Sequence, residues 1–239
     1  MTIRLYESDM QAAECEATVV AVTDDNRVIL DQTVFYAQGG GQPGDIGTLA
    51  WQGGQAEVTN TTKGEEGVIL HHLADGAIKP VVGARIRASL DWDRRHRLMR
   101  MHTGLHLLCA VVGAPVTGGS IGADKGRLDF DLADSPDREA IQAGLDAAIA
   151  ADYPVNLGQI SDADLDANPG LVRTMSVQPP RNGGVIRMVR IGDEDKDAFD
   201  YQPCGGTHVR STGEVGSLTL GKIEKKGKQN RRISVLWSQ

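Results

Sequence analysis

Four side chains in this sequence are spaced as metal ligands are spaced. His102 and His106 stand four residues apart in "MHTGLH", and Cys204 and His208 stand four apart in "CGGTH". On a helix, imidazoles at i and i+4 share one face one turn apart, so the first pair can reach a single cation. The second pair is separated by a bend with two glycines, whose backbone freedom lets both donors turn inward. Two ligands do not hold a zinc ion. Three nitrogens and one sulfur suit tetrahedral zinc, and a single thiolate argues against an iron–sulfur cluster. One Zn2+ per chain is therefore expected on His102, His106, Cys204 and His208.

Each pair alone has a plainer reading, as a half-buried histidine pair or a core thiol. Their convergence in a chain with only six histidines selects the metal. Cys109 lies further along the same helix face as His102, but the uniformly apolar "LLCAVV" around it marks a core thiol. His71, His72 and His96 have no such partner spacing and read as surface or packing residues. Thr103, Gly104 and Leu105 stand between the helix histidines, so the H-E-x-x-H protease motif and its glutamate base are absent.

The elements that must position these groups follow from periodicity. From Asp91, "DWDRRHRLMRMHTGLHLLCAVV" places Leu98, Met101, Leu105, Leu108 and Val112 at helical intervals, with Asp91 or Asp93 as cap. "SPDREAIQAGLDAAIAAD" predicts a second helix, with Ser135 as N-cap and Pro136 in the first helical position. "GGSIG" with "GRLDFDL", then "PVNLGQI" and "GVIRMVRIG", read as strands. The stretch Val215 to Trp237 reads as a hairpin around "KKGKQN". Helices on a mostly antiparallel sheet make residues 91–239 an α+β domain. Residues 1–90 read as β, in short runs whose spacing suits a small barrel or a sandwich. They are interrupted by "FYAQGGGQPGDIG", a loop too rich in glycine to hold regular structure.

Composition excludes several classes. Aromatic residues at 4% leave little for a base-stacking platform. No apolar run approaches the ~20 residues that span a bilayer, and the N-terminus lacks a secretory pattern, so no membrane partner is expected. Three widely spaced cysteines do not make a disulfide framework and fit a reducing cytoplasm. A net charge of −7 gives no global attraction for nucleic acid, so any such contact must be local.

Five stretches, "FYAQGGGQPGDIG", "DRRHRLMRMHTGLHLL", "GRLDFD", "CGGTHVRSTGEVG" and "KGKQNRRI", together resemble the freestanding alanyl-tRNA editing proteins of the AlaX type. These are relatives of the editing domain of alanyl-tRNA synthetase, and the glycine-rich loop is that of their medium-length subtype. The resemblance implies an N-terminal β-barrel followed by a zinc-bearing α+β domain. It also implies hydrolysis of the ester that joins a wrong amino acid, chiefly serine and possibly glycine, to alanine-specific tRNA. Two positions depart from the pattern. Ala37 and Gln38 replace Pro-Glu before the glycines, and Leu105 stands where synthetase editing domains carry threonine.

An aminoacyl ester needs a water nucleophile and stabilisation of the oxyanion, which zinc can supply. Four protein ligands form a closed set, however, whereas catalytic zinc usually keeps one position open. A displaced ligand, a fifth coordination position, or binding of the substrate amine would each resolve this. Candidates to read the serine hydroxyl are Thr103, Gln42 and Ser120. The plainer roles are a bond to its own helix carbonyl for Thr103, a turn hydroxyl for Ser120 and a loop brace for Gln42. Gly39, Gly40 and Gly41 either bring backbone amides to the acceptor end or form a tight turn needing positive φ. Basic runs at Arg94 and Arg95, and at Lys225, Lys226, Lys228, Arg231 and Arg232, are expected to bind tRNA phosphates. No nucleotide cofactor is expected, since 239 residues leave no room for an ATP-activating domain. The rival readings are a zinc-stapled RNA-binding module without catalysis and a zinc hydrolase of another ester. Oligomeric state does not follow from these residues.

Overall fold

The computed structural model describes residues 1–175 and 184–238. The chain divides into two compact units, Met1–His96 and Arg97–Gln239.

The first unit is a closed barrel. Its chain order is β1 (Ile3–Arg4), β2 (Glu14–Val22), β3 (Arg27–Leu30), β4 (Gln32–Thr33), β5 (Gly47–Trp51), β6 (Gly54–Lys63), β7 (Ile69–Leu73) and β8 (Arg85–Leu90). Six of these close as β2-β3-β7-β6-β5-β8, with every pairing antiparallel. Closure removes the open edges that a sandwich would leave, and it rests on Glu14–Thr18 pairing with Arg85–Ser89. Side chains alternate as the period of two requires: Ile86, Ala88 and Leu90 of β8 are buried between exposed arginines at 85 and 87. With Val19, Val28, Leu30, Leu49 and Val58 they form one apolar core around Phe35. Register shifts between Val19 and Ala21, and between Val58 and Asn60, bend the strands into the closed shape. The short parallel pair β1–β4 was not anticipated.

The second unit is α+β. Helix α1 (Trp92–Val112) is followed by β9 (Val116–Ile121), β10 (Lys125–Asp131), α2 (Arg138–Ala150), β11 (Val155–Ser161), α3 (Asp162–Ala167), β12 (Val185–Ile191), β13 (Asp200–Pro203), β14 (Leu218–Gly227) and β15 (Asn230–Trp237). Two antiparallel sheets result, β14-β15-β10-β9 and β11-β12-β13. No helix among the described residues is long and apolar enough to cross a membrane.

Two helix expectations change. Asp91 does cap α1, accepting from the Arg94 amide at 3.0 Å. From Leu98 to Cys109, however, α1 is buried on nearly every face rather than on one stripe. Such a helix is a central element and not a surface one. Helix α2 starts at Arg138, later than the expected Pro136. The Asp137 carboxylate accepts the amides of Glu139 (2.9 Å) and Ala140 (3.2 Å), displacing Ser135 as the cap. Helix α3, unforeseen, carries a capping box between Ser161 and Asp164.

Candidate metal centre

Helix α1 supplies two of the expected ligands from its buried middle. It can sit deep because Gly104 carries no side chain: a Cβ there would stand 2.5 Å from Leu218 Cδ1 on β14. Strand β13 leads into the other two, and the chain turns at Gly205 and Gly206 to bring His208 back beside Cys204. The donor atoms of His102, His106, Cys204 and His208 all lie within 4.8 Å of one another. The three histidines are buried, and Cys204 is half-buried.

The two sulfur–nitrogen separations are close to those of a tetrahedral zinc site. Cys204 Sγ is 3.5 Å from His102 Nε2 and 3.3 Å from His208 Nε2. Zinc bonds of about 2.3 Å to sulfur and 2.0–2.1 Å to nitrogen require S···N edges of about 3.5–3.6 Å. The far nitrogens of two rings are already engaged. His106 Nδ1 lies 2.8 Å from Asp200 Oδ2, and His208 Nδ1 lies 3.1 Å from Thr103 Oγ1. An Nδ1 proton donated to those oxygens leaves each Nε2 lone pair facing the thiolate, the orientation a metal requires. The Gly206 amide also donates to Cys204 Sγ at 3.4 Å.

The electrostatics agree. Burial alone would raise the Cys204 thiol, but the His102 and His208 imidazoles, with hydrogen bonds from His102 and His106, hold it well below its usual range. His208 is driven well below the usual histidine range by burial and by His102, so its ring is neutral. His106 goes the other way. Burial opposes its charge, but Asp200 and the Cys204 thiolate push it up to about 10. The charged His106 balances the Cys204 thiolate. A cation held by the cluster would have to displace that proton, so its affinity would fall as pH falls.

Known proteins match along this whole chain. Residues 186–234 match the family described as the threonyl and alanyl tRNA synthetase second additional domain, and residues 6–94 match the class II (A) tRNA synthetases. An alanyl-tRNA editing protein AlaX-M from Methanosarcina acetivorans is 36% identical over 98% of both chains. Another from Saccharolobus solfataricus is 33% identical over 98% of both. The chain belongs to the AlaX-M family of alanyl-tRNA editing proteins. The alanine–tRNA ligase of Pyrobaculum arsenaticum is 36% identical over 94% of this chain, which corresponds to 25% of the ligase.

The other AlaX-M residues singled out in the sequence have these surroundings. Thr103 is completely buried, and its hydroxyl serves His208 Nδ1 and the Val209 amide (3.4 Å). Ser120 is exposed on β9, opposite Arg127. Leu105 is buried beside Gly126 of β10. Gly39 to Gln42 form a tight hairpin turn in the barrel unit. Gly39 and Gln42 exchange two backbone hydrogen bonds (3.1 and 2.9 Å) around Gly40 at φ +56° and Gly41 at φ +83°, which only glycine adopts at low cost. Gln42 is buried within that turn.

The basic residues divide sharply. Arg95 has no exposed surface and pairs with the buried Asp45, which also accepts the Tyr36 amide at 2.7 Å. Its guanidinium braces the glycine-rich loop and has no face for a phosphate. Arg94 donates to the Gly44 carbonyl at 2.9 Å. Arg231 is 5% exposed and donates to the Gly227 and Asn230 carbonyls inside its own hairpin. Arg232 forks onto Asp129 at 2.7 and 2.9 Å. Lys225, Lys226 and Lys228 are exposed, Lys226 lying 3.3 Å from Glu224.

Sequence reasoning missed three residues around the cluster. Asp200 and Gln202 precede Cys204 at intervals of two, which in a strand places them on one face. Both are buried, and Gln202 Nε2 donates to Asp200 Oδ2 at 2.8 Å. That alternation in "DYQPC" was a readable signal. Arg187 gave none. From β12, its Nη1 donates to the carbonyls of Cys204 (2.7 Å) and Gly206 (2.8 Å), clamping the turn between two ligands.

Proposed function

We propose that this chain is a zinc-dependent hydrolase that clears mischarged alanine-specific tRNA in the cytoplasm, chiefly tRNA carrying serine. The supporting observation is the cluster of three buried histidines and the half-buried Cys204, whose donor atoms lie within 4.8 Å of one another, in a chain that aligns over 98% of its length with proteins named for alanyl-tRNA editing. A ligase pocket built for alanine rejects serine by only ~1–3 kcal/mol, so a separate hydrolytic sieve is needed.

The residues that would hold the ion are His102, His106, Cys204 and His208. When bound, zinc would supply positive charge that acidifies water and polarises an ester carbonyl. The protein's own contribution is orientation and charge. Asp200 and Thr103 fix two imidazoles, and Arg187 fixes the turn that carries Cys204 and His208. The reaction joins water to the acyl carbon and breaks the bond to the ribose oxygen, giving a free amino acid and an uncharged tRNA terminus. Residues 1–90 and 91–239 would act as a β-barrel module and an editing module.

One rival has an observation in its favour. A closed set of four buried protein ligands also describes a zinc that only staples the fold. Incubation with seryl-, glycyl- and alanyl-tRNA of the alanine type decides between them. Rapid loss of seryl-tRNA with alanyl-tRNA spared is the expected result. No deacylation of any of the three, by a folded and zinc-loaded protein, would favour the staple.

A further inference from the structure

The second unit carries a concavity lined by cations. Its volume is about 570 Å3, and Lys125, Arg138 and Lys222 line it over a floor that includes Gly221, Ser234 and Leu236. None of its lining residues is a metal ligand or one of the side chains that brace the ligands.

The charge around it is unusual for an acidic protein. Elsewhere in this unit cations are commonly neutralised from within: Arg97 by Asp124, Arg127 and Arg232 by Asp129, Lys196 by Asp193. Lys125, Arg138 and Lys222 have no carboxylate oxygen within ion-pair distance among the described residues. Arg138, at the start of α2, donates to the carbonyls of Leu220 and Gly221, which sets the guanidinium at the rim of the concavity. The one acid of the lining, Glu224, is matched by Lys226 at 3.3 Å. Lys225 and Lys228, further along the hairpin, are also exposed and without an ion-pair partner among the described residues, but Lys225 lies on the opposite face of β14 from Lys222.

We propose that this concavity holds the sugar–phosphate backbone of the RNA, with Lys125, Arg138 and Lys222 as its phosphate contacts. The inference rests on the tRNA reading above and specifies where the RNA lies. Three cations without carboxylate partners around one concavity suit a polyanion with closely spaced charges better than a globular acidic partner, which would present fewer of them.

The test is tRNA binding as a function of salt, on the zinc-loaded full chain, comparing the wild type with Lys125→Gln/Lys222→Gln. Both residues are exposed, so the fold should be unaffected; circular dichroism and zinc content check this. Lys196→Gln, which removes an internally paired lysine of the same unit, is the control. Each lost phosphate contact should flatten the slope of log affinity against log salt by about 0.7–0.9. The double variant should therefore lose roughly 1.4–1.8 from the slope, with affinity down at least tenfold in low salt, and the control should match the wild type. A double variant with wild-type slope would overturn the groove while leaving the tRNA reading intact. A control that falls as far as the double variant would do the same, since charge anywhere would then suffice. A wild-type protein with no salt-dependent tRNA binding would overturn both.

Discussion

Asp200 shows how much of the centre depends on a residue that ligates nothing. Its side chain is wholly buried, and it accepts from His106 Nδ1 at 2.8 Å and Gln202 Nε2 at 2.8 Å. A carboxylate behind a ligating imidazole fixes the tautomer and strengthens the donor nitrogen. Asp200→Asn keeps the shape and an acceptor oxygen but removes the charge. It should weaken zinc binding by roughly 10–100-fold, measured by competition with a chelator. Unchanged affinity would show that ring orientation needs only a hydrogen bond. The convergence of His102, His106, Cys204 and His208 was legible because helical spacing and a glycine-flanked bend are local patterns. Arg187 was not, because the register of β12 against β13 brings it to residues 17 and 19 positions away.

At the scale of elements, the barrel carries a buried titratable group with a definite pH signature. His71 on β7 is fully buried. Its Nδ1 lies 3.1 Å from the Val28 carbonyl, and its Nε2 lies 2.8 Å from the Thr33 hydroxyl. A carbonyl can only accept, so Nδ1 carries the proton and the ring is neutral; burial holds its pKa at about 4. The unfolded chain takes up a proton near pH 6.5, whereas the folded one resists until about pH 4. The neutral His71 thus contributes stability above pH 6.5 that is lost as pH falls towards 4, by about 3 kcal/mol at most. His71→Gln should flatten the pH dependence of denaturant midpoints across that window. An unchanged profile would place the acid sensitivity elsewhere. The strands themselves were readable from their alternation, but barrel closure was not, because it pairs residues about seventy positions apart. The start of α2 was misread for a local reason: two candidate caps lie two residues apart, and the carboxylate of Asp137 wins over the hydroxyl of Ser135.

For the whole molecule, charge runs in the sequence do not separate available cations from occupied ones. Of the residues expected to bind phosphates, Arg95 and Arg231 are buried and Arg232 is paired, while Lys125 and Arg138 stand outside any basic run. Pairing and burial decide which cations are available, and neither is written in local order. The metal cluster and the end-to-end match to AlaX-M proteins point to one account, in which metal charge next to an aminoacyl ester performs the chemistry and cations elsewhere hold the RNA. Cys204→Ala tests it most directly, with zinc content, circular dichroism, tRNA affinity and seryl-tRNA turnover read on one preparation. The account predicts a folded protein that has lost most of its zinc and its turnover while keeping most of its tRNA affinity. A folded Cys204→Ala protein that clears seryl-tRNA at the wild-type rate would contradict it.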